Sequence, residues 1–265
     1  MAFEIFKRTI KDKAFSTILI ALLLFLYIFW LASFYPSIKP MLSSYDQLMQ
    51  NPTVQAMIGE VANMTTFSGY MTVEVFSYMG LVIGAFFIFM VASFVSGEIE
   101  QKSSELLLSL PVSRENIIVS RFLAIVPFTL LIVIAEMAAI YLGGLYIGEN
   151  IGITWFAYGM LYMAVFILAV SAIGLFISSI MSDGRKAALI SVGVLLAMFM
   201  IENIGSMVTS IDWARKLSLF HYAKMSDIIN SHEISWVNLG VLIAVIIVFV
   251  ALSVIAFRRR DINVS

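Results

Sequence analysis

The sequence contains no cysteine, so it has no disulfide, no thiolate nucleophile and no cysteine metal site. It is also poor in charge: 12% of its 265 residues are Asp, Glu, Lys or Arg, against about 25% in soluble domains. Sixteen Lys and Arg nearly balance seventeen Asp and Glu, which removes the cationic excess that a nucleic-acid binder concentrates on one face. None of the 15 glycines is followed by lysine, so the Gly-Lys-Ser/Thr end of a nucleotide-binding loop is missing. His232-Glu233 starts like a zinc-protease helix, but no second histidine stands four residues on, and His221 lies upstream at the wrong spacing. Ser171, Ser178, Ser179 and Ser191 fall in apolar runs while both histidines fall outside them, which leaves no base for a serine nucleophile. The expectation is a chain without catalytic residues, cofactor or metal.

What the sequence has instead is apolar length. Hydrophobic residues make up 61% of it, and Ala14 to Ile38, Val75 to Gly97, Asn150 to Ser182 and Ile234 to Phe257 contain no Asp, Glu, Lys or Arg. About 20 apolar residues cross a bilayer, so each run is a span. Two further runs carry isolated charges: Asn116 to Leu142 with Arg121 and Glu136, and Ala187 to Met207 with Glu202. The fold class expected is an all-α membrane protein, a single transmembrane domain over 1–265. Its six transmembrane helices fall at about 14–35, 74–96, 116–142, 154–181, 187–207 and 236–257. Lys7, Arg8, Lys11 and Lys13 precede the first run as in a secretory signal, but its apolar core is longer than the usual 7–15 residues and no A-x-A-like site follows, so it is read as a retained span.

Charge distribution orients these spans. Twelve Lys and Arg fall on one side (the first four, then Lys102, Arg114, Arg121, Arg185, Lys186 and Arg258 to Arg260), and four on the other (Lys39, Arg215, Lys216, Lys224). By the positive-inside rule both termini are cytoplasmic and the protein is a multi-pass component of the cell membrane. Phe3, Phe6 and Ile10 share one face opposite Glu4, Lys7, Arg8 and Lys11, the pattern of an N-terminal interfacial amphipathic helix before the first span. On the outer side, Met41, Met49, Met57, Met64 and Met71 recur about every two helical turns. Thioethers in such a stripe suit either adaptable packing or a soft metal, and packing is the simpler reading. Trp213, Phe220, Tyr222 and Trp236 read as interfacial anchors in the second outer segment.

Two carboxylates fall inside apolar runs. Glu136 lies 20 residues beyond Asn116, about 30 Å at 1.5 Å per residue, which predicts a position near the outer interface. Glu202, with Asn203 beside it, is counted about 22 Å beyond Ala187. Glu202 and Asn203 are therefore the candidate substrate-path residues, Glu202 serving a polar path, pairing with another helix, or snorkelling to outer water.

The segment between the second and third spans runs Gly97-Glu98-Ile99-Glu100-Gln101-Lys102-Ser103-Ser104-Glu105-Leu106-Leu107-Leu108-Ser109-Leu110-Pro111-Val112-Ser113-Arg114. Glu98 to Leu108 suits a short helix, Pro111 stops it, and Ser113 can cap the next helix with Glu115 in its positive first turn. Leucines beside carboxylates fit a docking surface for a partner protein, and equally a turn whose leucines sink into the bilayer interface.

Gly-Glu-x-Glu, then Glu-x-Leu-Leu, then Pro-Val-Ser-Arg, placed just after a second span, resembles the coupling-helix region of the type-two ABC exporter permeases, including their sodium-efflux and copper-maturation branches. Where the family often has Gly-Thr, this chain has Lys102-Ser103. The resemblance extends to the six spans and the outer aromatic segment. It implies a permease that pairs with a second permease subunit, as a homo- or heterodimer, and with separate ABC ATPase subunits that hydrolyse ATP. It also implies a cytoplasmic coupling helix between spans two and three: Glu98, Glu100, Glu105, Leu107 and Leu108 would dock on the ATPase, Pro111 would end the helix, and Ser113 and Arg114 would supply cap and positive anchor. The partners expected are the lipid bilayer, ABC ATPase subunits and a second permease, with no nucleic acid. The rival function is a membrane anchor or assembly scaffold that binds a cytoplasmic protein through the same loop and transports nothing.

Overall fold

The computed structural model describes residues 2–49, 65–76, 78–97, 113–149 and 151–260, and among them there is no strand. The helices are α1 (Ala2–Met49), α2 (Phe67–Met71), α3 (Met79–Ala92), α4 (Arg114–Ile147), α5 (Ile153–Ile180), α6 (Gly184–Met207), α7 (Asp212–Arg215), α8 (Leu219–Tyr222), α9 (Met225–Ser231) and α10 (Trp236–Arg259). A π-helical turn at Thr72–Phe76 follows α2 directly. Six stretches are long and apolar enough to cross a membrane: Phe3–Leu42, Phe67–Ala92, Arg114–Ile147, Ile153–Ile180, Gly184–Ser206 and Trp236–Arg259. Helices dominate because a bilayer offers no partner for backbone N–H and C=O groups, and a helix satisfies them within one segment.

Local chemistry sets the helix ends. Ser113, Asp183 and Ser235 are N-caps whose side chains accept from the N–H groups of Asn116, Lys186 and Asn238 at 3.3, 2.9 and 3.3 Å. Gly148 takes φ +75° just after α4, the left-handed turn that releases the chain toward α5. Within the helices, hydroxyls return to their own backbone: Thr17, Thr129, Ser171, Ser179, Ser191 and Ser253 each donate to the carbonyl four residues back. Three of the four serines considered above as nucleophiles, Ser171, Ser179 and Ser191, are thus engaged by their own helix.

One expectation fails at the N-terminus. The amphipathic segment expected as a separate helix is continuous with the first span, because α1 runs unbroken from Ala2 to Met49 with Pro36 and Pro40 inside it. No glycine or proline stands between Lys13 and the apolar run to interrupt the backbone. Neither proline ends the helix, a tolerance common in spans. Met57 and Met64 of the methionine series lie outside the described residues, while Met41 is exposed and Met71 fully buried, so these two do not share a surface.

α5 is the centre of the bundle and packs against α3, α4, α6, α9 and α10, while α1 lies along α4. Fully buried Phe87, Phe156, Phe166, Ile83, Ile125 and Ile132 fill the core. Phe15, Ile18, Leu22, Leu26 and Trp30 of α1 and Ile247 and Val248 of α10 face outward, as helices solvated by lipid tails require. Lys39 pairs with Glu149 at 3.2 Å, and Arg114 meets the end of α10. The bundle therefore has two polar ends, a Glu149 end and an Arg114 end. α1 starts and α10 finishes at the Arg114 end.

Candidate functional site

At the Arg114 end the described chain stops at Gly97 and resumes at Ser113. Glu98, Glu100, Glu105, Leu107, Leu108 and Pro111, the expected coupling residues, lie outside the described residues. Both flanks are fixed. On the near flank the Ser178 hydroxyl of α5 donates to the Ala92 carbonyl at 3.1 Å and accepts from the Ser96 N–H at 3.1 Å, while the Ser96 hydroxyl donates to Ala92 at 2.7 Å. Both serines are fully buried. These bonds satisfy backbone groups released where α3 ends.

On the far flank Ser113 caps α4 and Glu115 sits in its first turn. The Arg114 guanidinium reaches the end of α10, where it donates to the carbonyls of Phe257, Arg258 and Arg260 at 3.2, 3.4 and 2.7 Å. Glu115 pairs with Arg258 at 2.8 Å. Arg260 continues inward: its guanidinium donates to the carbonyls of Ser179 and Met181 at 3.0 and 2.8 Å and to the Ser182 hydroxyl, and burial pulls it below the ordinary arginine value. Two arginines thus cap the C-terminal ends of α10 and α5, where the helix dipole is negative. A cleft of about 690 Å³, lined by Phe89, Ala92, Ser93, Gly97, Arg185 and Leu189 among others, opens between α3 and the start of α6 beside this flank.

The Glu149 end holds the second cluster. Glu202, near the end of α6, accepts from Arg215 on α7 through Nη2 at 2.6 Å and Nε at 3.1 Å. Arg215 also bonds Asp212 at 2.9 Å, and the His221 Nδ1 lies 3.4 Å from the second Glu202 oxygen. The Glu202 hydrogen bond raises the Arg215 guanidinium above its ordinary value. A cleft of about 290 Å³ adjoins the cluster, with Glu202, Asn203, Lys224 and Asp227 set against Phe76, Phe199 and Phe220. Of the roles open to Glu202, pairing with another helix is the one this geometry displays. Trp213 and Trp236 are 67% and 73% exposed at this end.

Sequence reasoning missed three features. Ser178 joins α5 to the end of α3, a contact spanning 82 positions that no local spacing announces. Arg260 reads in sequence as one of three terminal cations, and its contacts set it apart. Glu136 was expected near the outer interface, yet it is 0% exposed inside the bundle and neither of its oxygens has a hydrogen-bond partner among the described residues. A helix of 34 residues is about 51 Å long, so a depth counted from one end does not show which face the residue occupies. His232 stacks on Trp155 with ring centroids 4.6 Å apart, a packing role, and among the described residues no group of three or more His, Cys, Asp or Glu is arranged to hold a metal ion.

No curated protein matches the chain. Residues 4–262, covering all six spans and both polar ends, match the profile of the ABC-2 family transporter proteins.

Proposed function

The chain belongs to the ABC-2 family of transporter proteins, the membrane-spanning permeases of ABC transporters, and from that premise we propose that it is the permease of an ATP-driven exporter. It works with separate ABC ATPase subunits and a second permease, homo- or heterodimeric, in the cell membrane with both termini cytoplasmic. The observation that carries this reading is the anchoring of both flanks of residues 98–112, Ser96 to α5 and Arg114 to α10. A coupling element needs fixed attachment to the helices it moves, whereas a passive turn does not.

In this reading Glu98, Glu100 and Glu105 meet donors on the ATPase and Leu107 and Leu108 enter an apolar cleft on it. Pro111 ends the coupling helix, and Ser113 and Arg114 pass its displacement to α4 and α10. Glu202 and Asn203 form one wall of the outer cleft through which cargo leaves along the dimer interface. Arg215 offsets much of the Glu202 charge, so the wall selects by hydrogen bonding more than by net charge.

Co-purification with an ABC ATPase, measured with export in the same variants, tests the assignment. Leu107→Ala with Leu108→Ala loosens ATPase binding, each side chain contributing roughly 1–3 kcal/mol at a partner cleft. Glu98→Gln or Glu105→Gln keeps the complex and lowers export per ATP hydrolysed. Wild-type binding and export in all three variants would refute the coupling role, and ATPase binding without any export would favour the anchor.

A further inference from the structure

Glu136 belongs to neither polar end. It is 0% exposed, both carboxyl oxygens lack a partner among the described residues, and Ile132, Val133, Ala139 and Ile140, one turn to either side on α4, are buried with it. α4 packs against α1, α5 and α10. None of these brings an ionisable acid, base or histidine alongside: α1 has its charges between Glu4 and Lys13 and then at Lys39 and Asp46 toward its other end, α5 has none, and α10 has only Arg258 and Arg259 in its last turn. Of the phenols on these helices whose side chains are described, Tyr35 donates to the Thr65 carbonyl and Tyr162 to the Ser235 carbonyl, and Tyr27 and Tyr158 lie on exposed faces. On α4 itself the nearest charged residue, Arg121, is about 22 Å away along the helix at 1.5 Å per residue.

An ionised carboxylate fully buried there has no counter-charge and no donor among the described residues, and a neutral carboxylic acid is the form the site can hold. We propose that Glu136 is an intramembrane proton-binding site coupled to the packing of α4: the closed bundle holds the carboxylic acid, and any state that admits water beside α4 releases the proton. The step is a simple ionisation. The O–H bond breaks, its electron pair stays on the carboxylate, and the proton passes to the entering water. Because the closed state binds one proton more than the wet state, acid favours closure. Above the ordinary carboxyl range, the wet fraction rises by up to about tenfold per pH unit. This inference stands apart from the ATPase assignment, since it needs only the bundle.

The test uses the purified full chain in a maltoside detergent, which has no carbonyl of its own. Infrared spectra at about pH 8, where exposed carboxyls have ionised, show a carboxylic acid C=O band that Glu136→Gln removes and Glu136→Asp displaces. If Glu136→Gln does not fold, the displaced band of Glu136→Asp makes the assignment. A single cysteine at Ala139, in a chain with none of its own, then reads the packing by its maleimide labelling rate. The ratio of that rate in the Glu136 background to the rate in a background altered at Glu136 cancels thiol ionisation. It is expected to climb by up to about tenfold per pH unit above the carboxyl range in the Glu136→Gln comparison. The altered background is Glu136→Asp where Gln does not fold, and the climb is then smaller. Absence of the band at about pH 8 overturns the proton site, and a flat ratio in the Gln comparison overturns its coupling to packing. When only the Asp variant folds, labelling in the Glu136 background that does not accelerate beyond thiol ionisation does the same.

Discussion

Ala32 of α1 lies so close to the Gly143 backbone of α4 that a Cβ built on Gly143 would stand 2.3 Å from the Ala32 Cβ. Small residues that let two backbones approach are how helices associate in lipid, where the solvent is as apolar as the side chains. Behind that methyl is the α1 backbone, the Ala32 Cα at 3.7 Å, so nothing flexible can yield. Gly143→Ala is expected to separate the helices and cost about 1–3 kcal/mol, read as a lower unfolding midpoint in detergent. Adding Ala32→Gly should recover most of the loss, and a double variant as unstable as the single would disprove the contact.

Glu202 and Arg215 are each mostly buried, and their hydrogen bonds join α6 to α7. Glu202→Gln keeps the shape and removes the charge, with an expected loss of about 1–2 kcal/mol. Arg215→Met should cost a similar amount, and the two together less than their sum. Strict additivity in thermal unfolding would show that the pair contributes nothing.

Arg114 serves three carbonyls at the end of α10 from its Nη1, a nitrogen one bond farther from the backbone than the ammonium of lysine, which is a compact point charge. Arg114→Lys is expected to speed amide hydrogen exchange over the last turn of α10 several-fold while leaving its middle unchanged. Uniform exchange along the helix, identical to wild type, would place the capping elsewhere.

The Asp183 carboxylate accepts from the Lys186 N–H at 2.9 Å, and this bond, the first of its causes, holds the carboxyl below its ordinary value. A lowered value means that the cap is fully present above the ordinary aspartate range and fades as pH falls through the lowered one. Protection of the first turn of α6, corrected for intrinsic exchange, should therefore decline below about pH 4. Asp183→Asn, which caps without titrating, should flatten that decline. The same decline in the Asn variant would assign it to another group.

Sidedness is open to direct chemical test because the native sequence has no cysteine. A single cysteine at Gln101 is expected to resist an impermeant thiol reagent in intact cells, and one at Asn51 to react. The reverse pattern inverts the orientation.

The spans were legible because lipid excludes charge, and that exclusion is written as runs without Asp, Glu, Lys or Arg. The cap at Ser113 was legible too, since a cap and its helix are neighbours in sequence. The separate lead-in helix was not, because amphipathicity describes which face is wet and not whether the backbone breaks after Lys13. Contacts such as Arg114 with Arg260, 146 positions apart, leave no local spacing to read. Glu202 could be named as a partner for another helix, but Arg215 could not be named as the partner. For Glu136 the count along the helix gave depth alone, while burial depends on the rotation of α4 against α1 and α5.

Ser96 and Arg114 stand at the two margins of residues 98–112 and hold different helices, one gripping α5 and the other α10. Those two helices share one of the longest seams in the bundle. A force applied between the margins is therefore divided, part drawn along α5 and part along α10. Where the two parts differ, the result is shear on that seam. Arg260, bonded from the end of α10 to the end of α5, bridges the same seam and would resist that shear.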